Sequence, residues 1–170
     1  WWFHSGDAFS PAKLLSLSGL EAHKDSILFF EEVGGRMPES VSASKLKQWI
    51  DVICQGEGGE IGELNYIFCG DEFILDVNRN YLNHDYYTDI ITFPSDDFPV
   101  VSADIFISTD RVEENAKSYG VSYTEELRRV VIHGVLHLCG YGDKTDEEIE
   151  KMRFKENEAL LKYDDGFKED

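Results

Sequence analysis

The chain has 170 residues, of which 42% are hydrophobic, and a formal net charge of −18 at pH 7. This length and hydrophobic content predict one globular domain with its own core, and they exclude a disordered chain. No apolar run is long enough to cross a bilayer, so we expect no membrane partner. The negative charge argues against nucleic-acid binding, because Lys and Arg supply most of the affinity for phosphates.

The cysteines and the start of the chain indicate the cellular compartment. Cys54, Cys69 and Cys139 are odd in number and form no C-x-x-C pair, which is typical of a protein in a reducing cytosol. The sequence does not open with a charged segment, an apolar run and a small-residue cleavage site. We therefore expect a cytoplasmic protein.

Local patterns predict strands and helices in mixed order. Residues 1–25 are expected to be an extension or an expression remnant. Strands are expected at 27–30, 64–69, 90–93 and 103–108, with a turn region at 55–62. Three helices are expected to be capped by Ser44, by Asp71 and by Thr109 or Asp110. Two more are expected at 124–138 and 143–161, with an acidic tail at 163–170. Together they predict a single-domain α+β fold, in which a mixed four-stranded sheet packs with about five helices.

The most informative stretch is HGVLHLCGYGD, residues 133–143. His133 and His137 are four residues apart, so they point about 40° apart on one face of a helix and can bind a single ion. Gly140 is the usual residue for ending a helix with a left-handed turn, after which the chain can bring Asp143 to the same face. Two imidazole nitrogens and a carboxylate oxygen are a workable ligand set for Zn²⁺, with a fourth position left for water.

The same stretch allows two other interpretations. Metzincin proteases share the spacing, but they need Glu directly after the first histidine as proton acceptor, and this chain has Gly134 there. The two histidines could also be packed helix residues without a metal, although a pair followed by a helix stop and a third ligand favours the metal. Cys139 lies about 200° round the helix from His137, so we expect it to pack as a small apolar residue.

The same stretch resembles the H-G-x-L-H-L-x-G-Y-D-H signature of the YbeY family, the metal-dependent endoribonucleases of ribosomal RNA maturation. Residues 77–94 resemble the family's LNxxYRxxDxPTDVLSFP segment, and residues 103–108 resemble its GDIxIS strand. The three segments occur in the family's order, and the resemblance covers residues 26–161. It implies that residues 26–162 form a metal-dependent hydrolase domain, with one Zn²⁺ ion as cofactor and ribosomal RNA or ribosomal subunits as partners.

Two positions depart from the family's pattern. The family's third histidine ligand aligns with Asp143, and the arginine that the family links to RNA cleavage aligns with Leu82. A carboxylate in place of a histidine is chemically tolerable, since an Asp oxygen is an ordinary Zn²⁺ ligand. Leu82 weakens the expectation of catalysis, so a non-catalytic, metal-stabilised ribosome-assembly factor is the second interpretation.

The residues and the resemblance together predict an endoribonuclease that acts on single strands through an activated water. Zn²⁺ lowers the pKa of a bound water to about 7, which supplies hydroxide without a strong base. We expect His84 and Asp85, in the second matching segment, to line the cleft as catalytic residues. Arg129 lies one helical turn before the first histidine and is the best candidate to contact phosphate. Thr88 and Asp89 have either a turn-capping role or a role in the site.

Overall fold

A computed structural model describes residues 26–167, which form four strands and five helices. In chain order they are β1 (Ser26–Glu31), α1 (Ala43–Gly56), β2 (Glu60–Cys69), α2 (Asp71–Leu82), β3 (Ile90–Pro94), β4 (Val100–Ser108), α3 (Thr109–Tyr119), α4 (Tyr123–Leu138) and α5 (Asp146–Gly166). These elements confirm the predicted α+β fold. The predicted extension at 1–25 and the last three residues, 168–170, lie outside the described residues. None of the helices in the described part of the chain is long and apolar enough to cross a membrane.

The sheet has the strand order β1-β2-β4-β3. Strands β1 and β4 both pair parallel to β2, while β3 pairs antiparallel to β4. In this register Phe29 lies opposite Tyr66, and Ile91 lies opposite Phe106. The short connection between β3 and β4 is typical of an antiparallel pair.

Hydrophobic side chains cover both faces of the sheet. Successive residues of a strand point to opposite faces, and on β2 Tyr66 and Phe68 join a larger cluster while Ile67 joins a smaller one. The helical members of the larger cluster include Leu46, Trp49, Val131, Val135 and Met152. The larger cluster therefore lies against α1, α4 and α5, whereas the smaller one lies against α2. The helix that carries the two histidines sits on the more deeply buried face.

Two helix starts differ from the predictions because a different side chain caps each helix. Helix α1 is capped by Ser42, not by Ser44. Helix α3 is capped by Ser108, not by Thr109 or Asp110. In both cases the serine hydroxyl accepts a hydrogen bond from the backbone N–H three residues later, which satisfies one of the otherwise unpaired groups of the first turn.

The boundaries of β2 and α2 also differ from the predictions. Strand β2 begins at Glu60, inside the region 55–62 that was predicted to be a turn. Gly70 occupies the capping position of α2, and Asp71 does not cap the helix. The carboxylate of Asp71 instead accepts hydrogen bonds from the guanidinium of Arg111, with a shortest distance of 2.8 Å. This ion pair links the starts of α2 and α3.

Helix α5 starts later and ends later than predicted. It begins at Asp146 rather than Asp143, because Thr145 and Glu148 form a reciprocal capping box. Asp143 consequently lies in the connection between α4 and α5. The helix continues to Gly166 and so includes residues from the predicted acidic tail.

Trp49 ties α1 to α5 and provides a test of the fold. Its indole N–H donates a hydrogen bond to the carbonyl of Ala159 at 2.8 Å, and its ring meets Tyr163 edge-on at 5.3 Å. We expect Trp49→Phe to lower the free energy of unfolding by about 1–3 kcal/mol, because it removes a buried hydrogen bond and leaves part of the space of the indole ring unfilled. Urea unfolding measures this, with the exposed Val52→Ala on the same helix as the control; equal midpoints for the two variants would contradict the expectation.

Candidate metal centre

Helix α4 is the scaffold of the site. Ser122 caps its first turn by accepting a hydrogen bond from the Glu125 N–H at 3.1 Å. An apolar stripe runs along the helix, and Leu127, Val131 and Val135 in this stripe are fully buried. Burial of this stripe fixes the rotation of the helix about its axis, and so decides which way the two histidines point.

Gly134 lets α4 approach the sheet closely. A Cβ atom at this position would lie 3.1 Å from Ile90 Cδ1 and 3.3 Å from Ile105 Cδ1, so the position faces the sheet. A side chain here would enter the core rather than the space beside His133. The proton acceptor that metzincin proteases place after their first histidine therefore has no room in this chain, which strengthens the argument against a protease.

The structure brings His133, His137 and Asp143 together. The Nε2 atoms of the two histidines are 2.9 Å apart, and Asp143 Oδ2 lies 3.1 Å from His137 Nε2 and 3.5 Å from His133 Nε2. A tetrahedral Zn²⁺ ion at about 2.0–2.2 Å from each ligand needs ligand atoms about 3.3–3.5 Å apart. The distance between Asp143 and His133 matches this range, whereas the other two distances are a few tenths of an ångström shorter. A small outward shift of the side chains would therefore let the three residues hold one ion.

Each imidazole is anchored through its other nitrogen. His137 Nδ1 donates a hydrogen bond to the carbonyl of Tyr141 at 2.8 Å. His133 Nδ1 lies 3.7 Å from the carboxylate of Glu156, which comes from α5 and is almost fully buried. Partners of this kind fix the tautomer and the ring orientation of a metal-binding histidine. Both Nε2 atoms are therefore directed toward Asp143.

The connection that carries Asp143 is itself held in place. Gly140 has φ +100°, which confirms the predicted left-handed end of the helix. The phenol of Tyr141 donates a hydrogen bond to Glu57 at 2.6 Å, and Lys155 forms an ion pair with the same carboxylate at 2.7 Å. These contacts join the ligand-bearing connection to the end of α1 and to α5, so the third ligand does not depend on its own short segment alone.

The charges of the cluster suit a cation. Burial lowers the pKa of His133, but the carboxylates of Asp143 and Glu156 outweigh it and raise the pKa to about 9. The hydrogen bond with His133 holds the pKa of Asp143 well below its usual range. Burial, together with the nearby charge of His133, lowers the pKa of His137. The cluster thus combines an ionised carboxylate and a neutral imidazole with one imidazolium, whose proton a divalent cation would displace.

A cavity of about 250 Å³ adjoins the cluster. His133 and Asp143 form part of its wall, and Arg129 lines it as well. The Arg129 guanidinium donates a hydrogen bond to Asn157 at 2.9 Å, which holds this side chain beside the cavity. Of the predicted catalytic residues, Arg129 is thus the one that lies next to the metal cluster.

His84 and Asp85 lie elsewhere, in the segment between α2 and β3. Neither lines the cavity beside the cluster. His84 stacks on Tyr86 at 5.2 Å, and Asp85 forms an ion pair with Arg79 on the surface. Their catalytic role stays a prediction.

Three carboxylates in the cavity wall were not among the predicted site residues. The sequence patterns assign no role to Glu126 or Glu156, and they allow Asp89 either a turn or a site role. Glu126 lies seven residues before His133 on the same helix, so a helical projection could have found it. Glu156 reaches the site from a different helix, and local spacing carries no signal for that contact.

The fold and the cluster together define a class: a small α+β protein with a candidate metal centre built on one helix and the connection after it. The family model described as Endoribonuclease YbeY matches residues 35–164. A protein named Endoribonuclease YbeY from Bacteroides thetaiotaomicron is 47% identical over 131 residues, which cover 77% of this chain and 95% of that protein. One of the same name from Phocaeicola vulgatus is 46% identical over 134 residues, with coverages of 79% and 96%.

The chain therefore belongs to the YbeY family of endoribonucleases, as the three sequence segments implied. A solved structure agrees with this conclusion. The solution structure of TM1509 from Thermotoga maritima matches with a TM-score of 0.58 and 27% identity, covering 84% of this chain and 94% of that one.

Glu156 provides a test of how the metal centre is held. We expect Glu156→Ala to weaken zinc binding by about 10- to 100-fold, because the His133 ring loses the group that orients it. Competition with a chromophoric chelator measures the affinity. The control is Glu150→Ala, which removes an exposed carboxylate from the same helix and should leave the affinity unchanged. Equal zinc affinity in the two variants would show that Glu156 does not orient the ligand.

Proposed function

We propose that the protein is a metal-dependent endoribonuclease that cleaves single-stranded RNA during ribosomal RNA processing. The observation that carries this proposal is the convergence of three ligand atoms, two imidazole nitrogens and one carboxylate oxygen, in a member of an endoribonuclease family. The proposed substrate is ribosomal RNA, free or in ribosomal subunits, and the proposed location is the cytoplasm.

The proposed cofactor is one Zn²⁺ ion held by His133, His137 and Asp143. This donor set of nitrogen and oxygen suits Zn²⁺ and leaves a position open. A bound ion of this kind supplies a Lewis acid that activates water and offsets charge on a phosphoryl oxygen. The protein's own part is to orient the two rings through Tyr141 and Glu156.

Few positively charged side chains lie near the site, which limits the affinity for RNA. The arginines that line the cavity are Arg129 and Arg153, beside four carboxylates in the same wall. Phosphate contacts are therefore few, and the remaining surface of a chain with net charge −18 repels RNA. We propose that RNA binds weakly unless the ribosomal particle positions it. His84 and Asp85, outside the cavity, are proposed to contact the RNA strand on its way to the metal.

One observation favours a second function. Leu82, which stands where the family carries an arginine, is half-buried and packs against the smaller hydrophobic cluster. It contributes no charge toward RNA. A ribosome-assembly factor that binds without cutting therefore remains the alternative, and the same experiment separates the two.

The test is cleavage of a structured and a single-stranded RNA by the zinc-loaded protein. We expect chelation to lower the rate by about 10²- to 10³-fold and zinc to restore it. His137→Ala should lose both the metal and the activity, whereas His84→Ala and Asp85→Ala should lower the rate without loss of metal. With two arginines contacting phosphate, the log–log slope of affinity against salt should be about −1.4.

Two outcomes would contradict the proposal. Full activity of His137→Ala, or of the chelated protein, would show that this cluster does not carry the reaction. Metal binding and association with ribosomal subunits, without cleavage of any RNA, would support the assembly factor instead.

A further inference from the structure

The cavity beside the metal centre contains a carboxylate that the metal site does not use. Glu126 lines this cavity and is only 4% exposed. Within residues 26–167, no hydrogen bond or ion pair reaches its carboxylate. Burial raises its pKa, and the nearby charge of Arg129 offsets part of that effect. A buried carboxylate without hydrogen bonds is costly, so a partner that supplies them is the natural reason for keeping one at a cavity.

The wall contains a further acceptor in Asn115. The side-chain N–H of Asn115 donates a hydrogen bond to Asp89 at 3.3 Å, which leaves the amide oxygen of Asn115 as an acceptor. Arg129 already donates to Asn157 at 2.9 Å. A ligand group that meets Glu126 and the Asn115 amide oxygen must therefore bring N–H donors, whereas the exposed Arg153 offers donors to an anion.

A second metal ion does not suit this wall. Among the residues that the structure describes, only the His-His-Asp cluster has three ligand atoms within 4.8 Å of one another. The carboxylates of Asp89, Glu126 and Glu156 are thus too far apart to share one ion.

An aromatic ring stands at the edge of the cavity. Tyr119, the last residue of α3, lines the cavity and is 61% exposed. Proteins bind unpaired RNA bases by stacking them on aromatic rings and by hydrogen bonding their edges. The volume of about 250 Å³ is below that of most ligand pockets, which suits a single base better than a longer piece of RNA.

We propose that this cavity is a nucleobase subsite that selects guanine in the RNA strand presented to the metal centre. The proposal rests on the proposed endoribonuclease function. Guanine is the RNA base whose pairing edge carries two adjacent N–H donors, which match the two oxygens of the Glu126 carboxylate. Tyr119 stacks on the face of the base, and the exposed Arg153 at the cavity wall is placed for the phosphate of the same nucleotide.

Direct binding of nucleosides tests the subsite without any cleavage. Guanosine and inosine differ only by the exocyclic amino group, and each is titrated into metal-free and zinc-loaded protein by NMR. We expect guanosine to bind about tenfold more tightly than inosine, and Glu126→Gln to bring that ratio close to one. The matched control is Glu125→Gln, an adjacent carboxylate that does not line the cavity and should preserve the ratio.

A surface variant keeps the test valid if Glu126→Gln is poorly folded. Tyr119→Ala changes an exposed side chain, and we expect it to weaken the binding of both nucleosides about tenfold through loss of stacking. Guanosine binding that neither Glu126→Gln nor Tyr119→Ala alters would overturn the subsite. Equal affinity for guanosine and inosine in the unaltered protein would overturn the selection of guanine.

Cleavage of oligouridine RNA with one guanosine separates the subsite from the nuclease function. Preferred cutting beside the guanosine, lost in Glu126→Gln, would support both. Selective guanosine binding without cleavage of any RNA would support the subsite and contradict the proposed endoribonuclease function. Cleavage that is indifferent to the guanosine, with no selective nucleoside binding, would overturn the subsite and leave the endoribonuclease function standing.

Discussion

The rotation of α4 against the sheet is the constraint on which the site depends. Val131 and Val135 are fully buried, and Gly134 leaves room for Ile90 and Ile105 to approach the helix. A dense core has few alternative packings, so this contact fixes the rotation of the helix about its axis to within a fraction of a turn. The rotation of the helix determines the direction in which His133 and His137 point, because side chains project at fixed angles from the helix axis. A bulky residue at 134 would displace the helix and move both ligands.

Contacts from other elements hold the ligands of the metal centre in place. The carbonyl of Tyr141 and the carboxylate of Glu156 hold the two imidazole rings, while Glu57 on α1 holds the Tyr141 phenol. The site therefore draws on the end of α1, the end of α4 and the middle of α5, and α1 is far from the other two helices in sequence. Because the ligands converge only in the folded chain, a bound ion would also stabilise the fold in proportion to its concentration and affinity.

Much of the fold and the centre of the site could be predicted from sequence, because those features have local causes. Helical periodicity, the four-residue spacing of the histidines and the helix stop at Gly140 each act within a few residues. The caps Ser42 and Ser108 differ from the predicted ones, since Ser44, Thr109 and Asp110, one or two residues away, are equally suitable capping residues. Glu156 could not be found by spacing, because its contact with His133 depends on how α5 crosses α4.

The net charge of the chain and the local charges at the site point to different functions. The net charge of −18 argued against RNA, while the sequence segments and the related proteins indicate an endoribonuclease. The structure reconciles part of this conflict, because carboxylates beside the metal centre can serve as ligands and hydrogen-bond acceptors rather than only repel phosphate. The net charge determines the long-range electric field around a protein, whereas a few groups at a site determine what that site binds.

X-ray absorption at the zinc edge of the zinc-loaded protein tests the central claim most directly, because it reports the atoms bound to the ion. The structure predicts nitrogen and oxygen ligands at about 2.0–2.2 Å, with the outer-shell scattering of two imidazole rings and no sulfur. Cys139 lies two residues after His137 and is the nearest sulfur along the chain. A sulfur ligand at about 2.3 Å, or the scattering of fewer than two imidazoles, would contradict the His133–His137–Asp143 centre.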